Sequence, residues 1–136
     1  KLQINYLTRR NSMSKKYSIV IIDDEVEILD MLSRFLSRNQ NFAVQTFSNP
    51  VSALSSLNST KCDLVLLDIM MPQMNGLDVL EKLKDMNSDQ KVIMMTAYST
   101  LDKVLKSHKI GATNYVMKPF SSLDALEKKV VEVLED

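Results

Sequence analysis

From residue 17 to the end of the chain, short apolar runs alternate with longer stretches in which apolar residues recur every three or four positions. The runs "YSIVII" (17–22), "FAVQTF" (42–47), "DLVLL" (63–67), "KVIMM" (91–95) and "NYVMK" (114–118) predict five strands. Between and after them, five sets of helical spacing predict five helices: Val26, Leu29, Leu32 and Leu36; Val51, Leu54 and Leu57; Leu77, Leu80, Leu83 and Met86; Leu101, Val104, Leu105 and His108; and Leu123, Leu126, Val130 and Val133. Start signals fit this division, with Asn49 before Pro50, Asn75 before Gly76, and capping-box spacing at Ser99 with Asp102 and at Ser121 with Asp124.

The first, third and fourth strands are almost wholly apolar, as expected of parallel strands covered on both faces. Right-handed crossovers then place helices on both sides of one α/β sheet. The second strand sets Phe42, Val44 and Thr46 against Ala43, Gln45 and Phe47, the mixed pattern of an edge.

In such sheets ligands bind beyond the carboxyl ends of the strands. Strand 1 ends in Asp23 and Asp24, strand 3 in Asp68, strand 4 in Thr96 and strand 5 in Lys118, whereas Asp78, Asp85 and Asp89 fall on helix or loop positions suited to solvated faces. Carboxylates brought to one rim repel: two unit charges about 4 Å apart cost about 4 kcal/mol at an effective dielectric of about 20. One lysine does not offset three of them. A hard divalent cation does, and Mg²⁺ suits a few carboxylates plus waters. Soft metals are disfavoured, since neither His nor Cys lies at this rim. The competing reading of the Asp pair alone is a helix N-cap, and it loses ground to the convergence with Asp68, Thr96 and Lys118.

Composition narrows the field. The 136 residues are the size of one domain, and 17 basic residues balance 17 acidic ones, so no global field draws in nucleic acid or an anionic membrane. No stretch has the roughly 20 apolar residues of a membrane span. The single cysteine, Cys62, is expected to be a small buried hydrophobe and points to a reducing, cytoplasmic setting. Residues 1–12, "KLQINYLTRRNS", precede Met13 and are expected to be a tail or an expression remnant, with a docking arm as the alternative; residues 13–136 form the domain.

The stretches "IIDDEVEIL", "LVLLDIMMPQMNGLDVL", "VIMMTAYS" and "GATNYVMKPF" together resemble the signatures of the response-regulator receiver domain of two-component signalling, over residues 17 to 135. The resemblance implies a flavodoxin-like, doubly wound five-stranded parallel sheet of order 2-1-3-4-5 with five helices. It implies a phosphoprotein switch in which Asp68 accepts a phosphoryl group from a histidine kinase or histidine phosphotransfer protein. Asp23, Asp24, Asp68 and the Met70 carbonyl would hold Mg²⁺, Lys118 would pair with the phosphoryl oxygens, and Thr96 would hydrogen-bond one of them. Tyr115 would follow Thr96 inward, changing the face made by the fourth helix, fifth strand and fifth helix, and Lys118–Pro119 would be cis. With a carboxylate pKa of about 4, Asp68 would already be ionised at neutral pH.

Met70 and Tyr98 stand at positions similar to the family's tuning positions and carry no group able to orient water, so slow self-dephosphorylation is expected. The expected partners are the kinase or phosphotransfer protein and a downstream protein, with no direct contact to nucleic acid or membrane, and a monomer or a weak phosphorylation-dependent dimer. The domain would be no enzyme beyond its own phosphorylation and dephosphorylation, acting alone or as part of a longer regulator.

Three rivals share the fold or its chemistry. A Mg²⁺-dependent phosphatase of the haloacid-dehalogenase type needs a second Asp where Met70 stands, and a flavin carrier would meet repulsion from "DDE". A binding module independent of phosphorylation has no need of Asp23, Asp24, Asp68, Thr96 and Lys118. The methionines near the rim, Met70, Met71, Met74, Met94 and Met95, are expected to fill the core rather than bind copper, and His108 to be a helix-face residue.

Overall fold

The computed structural model describes residues 16–97 and 101–136. Five strands, β1 (Tyr17–Ile22), β2 (Phe42–Phe47), β3 (Leu64–Asp68), β4 (Lys91–Ala97) and β5 (Asn114–Lys118), alternate with α1 (Val26–Leu36), α2 (Pro50–Ser59), α3 (Gly76–Met86), α4 (Leu101–Ile110) and α5 (Leu123–Glu135). The strands are all parallel in the order β2-β1-β3-β4-β5, a flavodoxin-like doubly wound sheet.

Strand alternation divides the core into two layers. Ile19, Ile21, Leu64, Leu66, Ile93 and Met95 point to one face, where Leu29, Leu32 and Leu36 of α1 and Leu126, Val130 and Val133 of α5 cover them. Val20, Ile22, Val65, Leu67, Val92 and Met94 point to the other, beneath Ala53 and Leu57 of α2, Val79, Leu80 and Leu83 of α3, and the partly buried Val104 of α4. Each fully buried Leu, Ile or Val adds about 1.5–3 kcal/mol, so the two layers are what hold the strand ends in register.

Several boundaries and faces differ from the sequence expectation. β3 starts after Asp63, whose carboxylate instead accepts from the Ser18 N–H at 2.7 Å, and ends on Asp68. β4 runs two residues beyond the apolar stretch because Thr96 and Ala97 still pair with Met117 and Lys118 of β5. Asn49 and Asn75 cap α2 and α3 by accepting from Val51 and Leu77 N–H, as their positions suggested. The cap of α5 is Ser122 and not Ser121: its hydroxyl accepts from Ala125 N–H at 3.1 Å. The spacing of Ser99 with Asp102 lies outside the described residues.

Val26, Val51, Met86 and Leu105 are exposed rather than core-facing. The α2 stripe is turned so that Pro50, Ala53 and Leu57 are buried, and in α4 the inward residue is Ser107, whose hydroxyl satisfies itself on the Val104 carbonyl at 2.7 Å. Cys62 is half-buried rather than buried; its thiol donates to Leu64 O at 3.7 Å, and burial pushes its pKa up to about 11. His108 is exposed on α4, as expected.

Lys91 ties the start of β4 to the end of α5, its ammonium donating to the carbonyls of Val133 (2.7 Å), Leu134 (3.3 Å) and Asp136 (2.9 Å). These are carbonyls that a helix end leaves without intrahelical partners. Replacing Lys91 by Met is expected to cost about 1–3 kcal/mol in urea unfolding and to speed amide exchange selectively in the last turn of α5; an unchanged midpoint and exchange pattern would show that water replaces the cap.

Candidate functional site

The carboxyl ends of β1, β3, β4 and β5 form one rim. Asp23, the residue after β1, is held by backbone bonds as well as by its side chain: its N–H donates to Phe47 O at 3.1 Å, and its Oδ1 accepts from Glu25 N–H at 2.9 Å. Asp24 beside it is partly exposed, while Asp68 is only 5% exposed. Asp23, Asp24 and Asp68 each offer a carboxylate oxygen, and these oxygens all lie within 4.8 Å of one another.

Lys118 reaches across from β5. Its Nζ lies 2.5 Å from Asp23 Oδ2, 3.3 Å from Asp68 Oδ1 and 3.6 Å from Glu25 Oε1. Lys118–Pro119 is cis. Thr96 is buried, and its hydroxyl donates to Ala97 O at 3.1 Å.

The charges explain the titration. Burial, followed by the neighbouring Asp23 carboxylate, raises the Asp68 pKa to about 7 despite Lys118. Asp23 is also raised, by burial against the opposing pull of Lys118. Burial works against the Lys118 charge, but the two carboxylates outweigh it and hold its pKa above the ordinary lysine value. The expectation that Asp68 has an unperturbed carboxylate pKa is therefore corrected for the cation-free site. The donor set, all oxygen and short of positive charge, fits a hard divalent cation such as Mg²⁺.

The loop after Asp68 depends on Gly76, which the sequence marks only as a helix start and whose close backbone approach it does not show. Gly76 N–H donates to Ile69 O at 2.7 Å, and a Cβ on Gly76 would fall 2.2 Å from Asp68 O and 2.6 Å from Ile69 Cα. Met70 on this loop is 53% exposed, against the expectation that it fills the core, because it leaves the sheet at the rim; Met71, Met94 and Met95 are buried as expected. The Met70 thioether accepts from Lys103 Nζ at 3.4 Å. Tyr115 points outward, 40% exposed, with Lys129 Nζ 5.4 Å from its ring centroid and donating to Tyr115 O at 2.8 Å. Tyr98 lies outside the described residues.

Fold and rim together define a doubly wound α/β protein with a carboxylate-rich, lysine-bridged site at the strand ends. The chain matches the family model of the response regulator receiver domain over residues 19–131, and it belongs to that family, the receivers of two-component signalling. It is 34% identical over 118 residues to sporulation initiation phosphotransferase F of Bacillus subtilis (strain 168), covering 85% of this chain and 92% of that protein. It is also 34% identical over 116 residues to regulatory protein VanRc of Enterococcus gallinarum, covering 85% of this chain and 48% of that one. The chain thus spans about half the length of that regulator. Among solved structures it resembles a CheY-like receiver domain protein from Methanospirillum hungatei JF-1 (30% identity, TM-score 0.83, 89% of this chain and 95% of that one). The receiver domain of NtrX from Brucella abortus is similar (28%, TM-score 0.80, 86% and 98%). No helix among the described residues is long and apolar enough to cross a membrane.

The raised Asp68 pKa is a cost of ionisation in the folded state, so its contribution to stability is fully present below about pH 4 and is lost as pH rises through about 7. In chelator-treated protein, Asp68→Asn is expected to gain stability over the parent as pH rises from about 4 to 8, by about 2–4 kcal/mol; a difference independent of pH would contradict the raised pKa. Gly76→Ala is expected to cost about 1–3 kcal/mol through overpacking and to displace the Asp68–Met70 loop, measurable as a lower melting temperature together with shifted amide resonances at Ile69 and Met70.

Proposed function

We propose that the protein is a phosphorylation-dependent switch in which Asp68 takes a phosphoryl group from a histidine kinase or histidine phosphotransfer protein. The observation that carries this reading is the convergence of three carboxylates and one lysine, from three strand ends, on a single partly open point of the rim. Asp68 is the natural acceptor among the three, since it ends β3 at the centre of the sheet with Lys118 within 3.3 Å.

In the transfer, an Asp68 carboxylate oxygen forms a bond to phosphorus as the donor's P–N bond breaks. The electron pair leaves with the imidazole, which takes up a proton, and the product is an acyl phosphate. Lys118 meets the phosphoryl oxygens, and Thr96 turns its hydroxyl toward one of them. Asp23, Asp24, Asp68 and the Met70 carbonyl would hold Mg²⁺, which when bound supplies two positive charges against the phosphoryl oxygens.

Esterification replaces the single charge of Asp68 by up to about −2, which favours movement of Lys118 and Thr96 toward the phosphoryl group. Tyr115 is the proposed relay to the face formed by α4, β5 and α5. It lies beside a groove of about 350 Å³, shared with Val104, Leu105, Ser107 and His108, that offers the ring a second position. The reading includes a cytoplasmic location, a downstream protein partner, a monomer or weak phosphorylation-dependent dimer, and no catalysis beyond the domain's own phosphorylation and dephosphorylation. The exposed Met70 thioether offers no acid or base for phosphatase turnover, which favours the switch over the dehalogenase-type rival.

Incubation with acetyl phosphate and Mg²⁺ is expected to add one phosphoryl group by mass spectrometry, with none on Asp68→Asn or in the presence of chelator. Absence of the mass gain in the parent chain would overturn the proposal. Decay of the acyl phosphate is expected to be slow, and to accelerate about tenfold in Met70→Asn or Tyr98→Glu, less than the roughly hundredfold or more of full general acid–base catalysis because these groups would only orient water; equal lifetimes would remove the tuning role of these positions.

A further inference from the structure

Lys103 stands in the first turn of α4 and is not one of the strand-end residues of the rim. Its ammonium nevertheless lies 3.4 Å from the sulfur of the exposed Met70, two residues along the chain from Asp68. The contact is weak on two counts. A thioether is a poor acceptor for an ammonium group, and the first turn of a helix disfavours cations because its N–H groups already give that end a partial positive charge. Lys118 is the lysine paired with the rim carboxylates; among the described residues Lys103 makes no ion pair with them.

A cation held by a neutral partner two residues from an acidic site can turn toward an anion arriving there without breaking an ion pair. Exchanging a thioether for anionic oxygens converts a weak contact into a charge-assisted hydrogen bond. The cup itself has one lysine for three carboxylates, so an anionic donor arriving there meets net negative charge unless another cation contributes.

We propose that Lys103 is a second anion-binding residue of this site, meeting the phosphate oxygens of the incoming donor and then sharing the phosphoryl group on Asp68 with Lys118. The inference rests on the phosphoacceptor reading of Asp68 and adds a residue and a role to it. Its chemistry applies to any donor that presents a phosphoryl dianion at the mouth of the cup.

The test measures the initial rate of Asp68 phosphorylation of the full chain by acetyl phosphate with saturating Mg²⁺, at low and high ionic strength. Lys103→Met is expected to lower the rate at subsaturating donor about three- to tenfold at low salt, with a smaller loss at high salt. Lys103→Arg is expected to restore most of it. Lys109→Met, which removes the same charge from the last turn of α4, is expected to stay within about twofold of the parent. A Lys103→Met rate equal to the parent's, or a loss matched by Lys109→Met, overturns the role of Lys103 while leaving Asp68 as acceptor. A parent chain that takes up no phosphoryl group overturns both.

Discussion

The Lys118 ammonium wedged between Asp23 and Asp68 is the interaction on which the site depends. It joins residues 95 positions apart in the chain, and it is the lysine that the rim carboxylates share. A carboxylate as buried as Asp23 is tolerable when it is paired and hydrogen-bonded, and here both conditions hold, through Lys118 and through the Glu25 N–H. The pairing is incomplete by design of the numbers: one positive charge stands against three negative ones. Burial together with that deficit raises the Asp68 pKa, and the deficit makes the cup receptive to a hard cation.

The scaffold is what makes such a deficit sustainable. All five strands run parallel, so their carboxyl ends share one edge, and residues distant in sequence meet there without any loop having to bend back. The two apolar layers then fix the strands, while Gly76 lets α3 begin directly against the backbone of Asp68 and Ile69. Any side chain at Gly76 would push the β3–α3 loop away from the rim. The position of the Asp68 carboxylate thus depends on an atom that is missing eight residues later, a requirement as strict as the charge pattern itself.

The strands and the rim were legible in the sequence because both depend on short-range pattern. An apolar run followed by Asp, Thr or Lys signals a buried strand and its exit, and Asn49 and Asn75 signal caps through side-chain chemistry local to the turn. The helix faces were read less well, for physical reasons visible in single residues. Ser107 faces the core because its hydroxyl bonds to its own helix, which a hydropathy pattern scores as an outward position. Val26 and Val51 sit in the first turns of α1 and α2 and are exposed, although their spacing matches the buried stripe. The ionisation of Asp68 was misjudged because a pKa belongs to an environment, and burial and Asp23 act on it only after folding. Gly76 was read only as part of a helix start and of the family signature, and Lys103 carried no motif signal, since a close backbone approach and a contact between a loop and a helix exist only in three dimensions.

Whether an event at Asp68 can reach a distant surface is decided by strand register. Met94 pairs with Tyr115 and Thr96 with Met117, so Thr96 and Tyr115 project from the same face of the sheet on neighbouring strands. Tyr115 lies on the edge strand, where α5 reaches its ring through Lys129 and α4 borders the adjacent groove. An exposed ammonium over an aromatic face contributes about 0.5–1 kcal/mol, small enough that a modest change beside Thr96 can compete with it. A fully buried tyrosine in the middle of the sheet would be locked by packing; on the edge strand and 40% exposed, the Tyr115 ring is held less tightly, as the proposed relay requires.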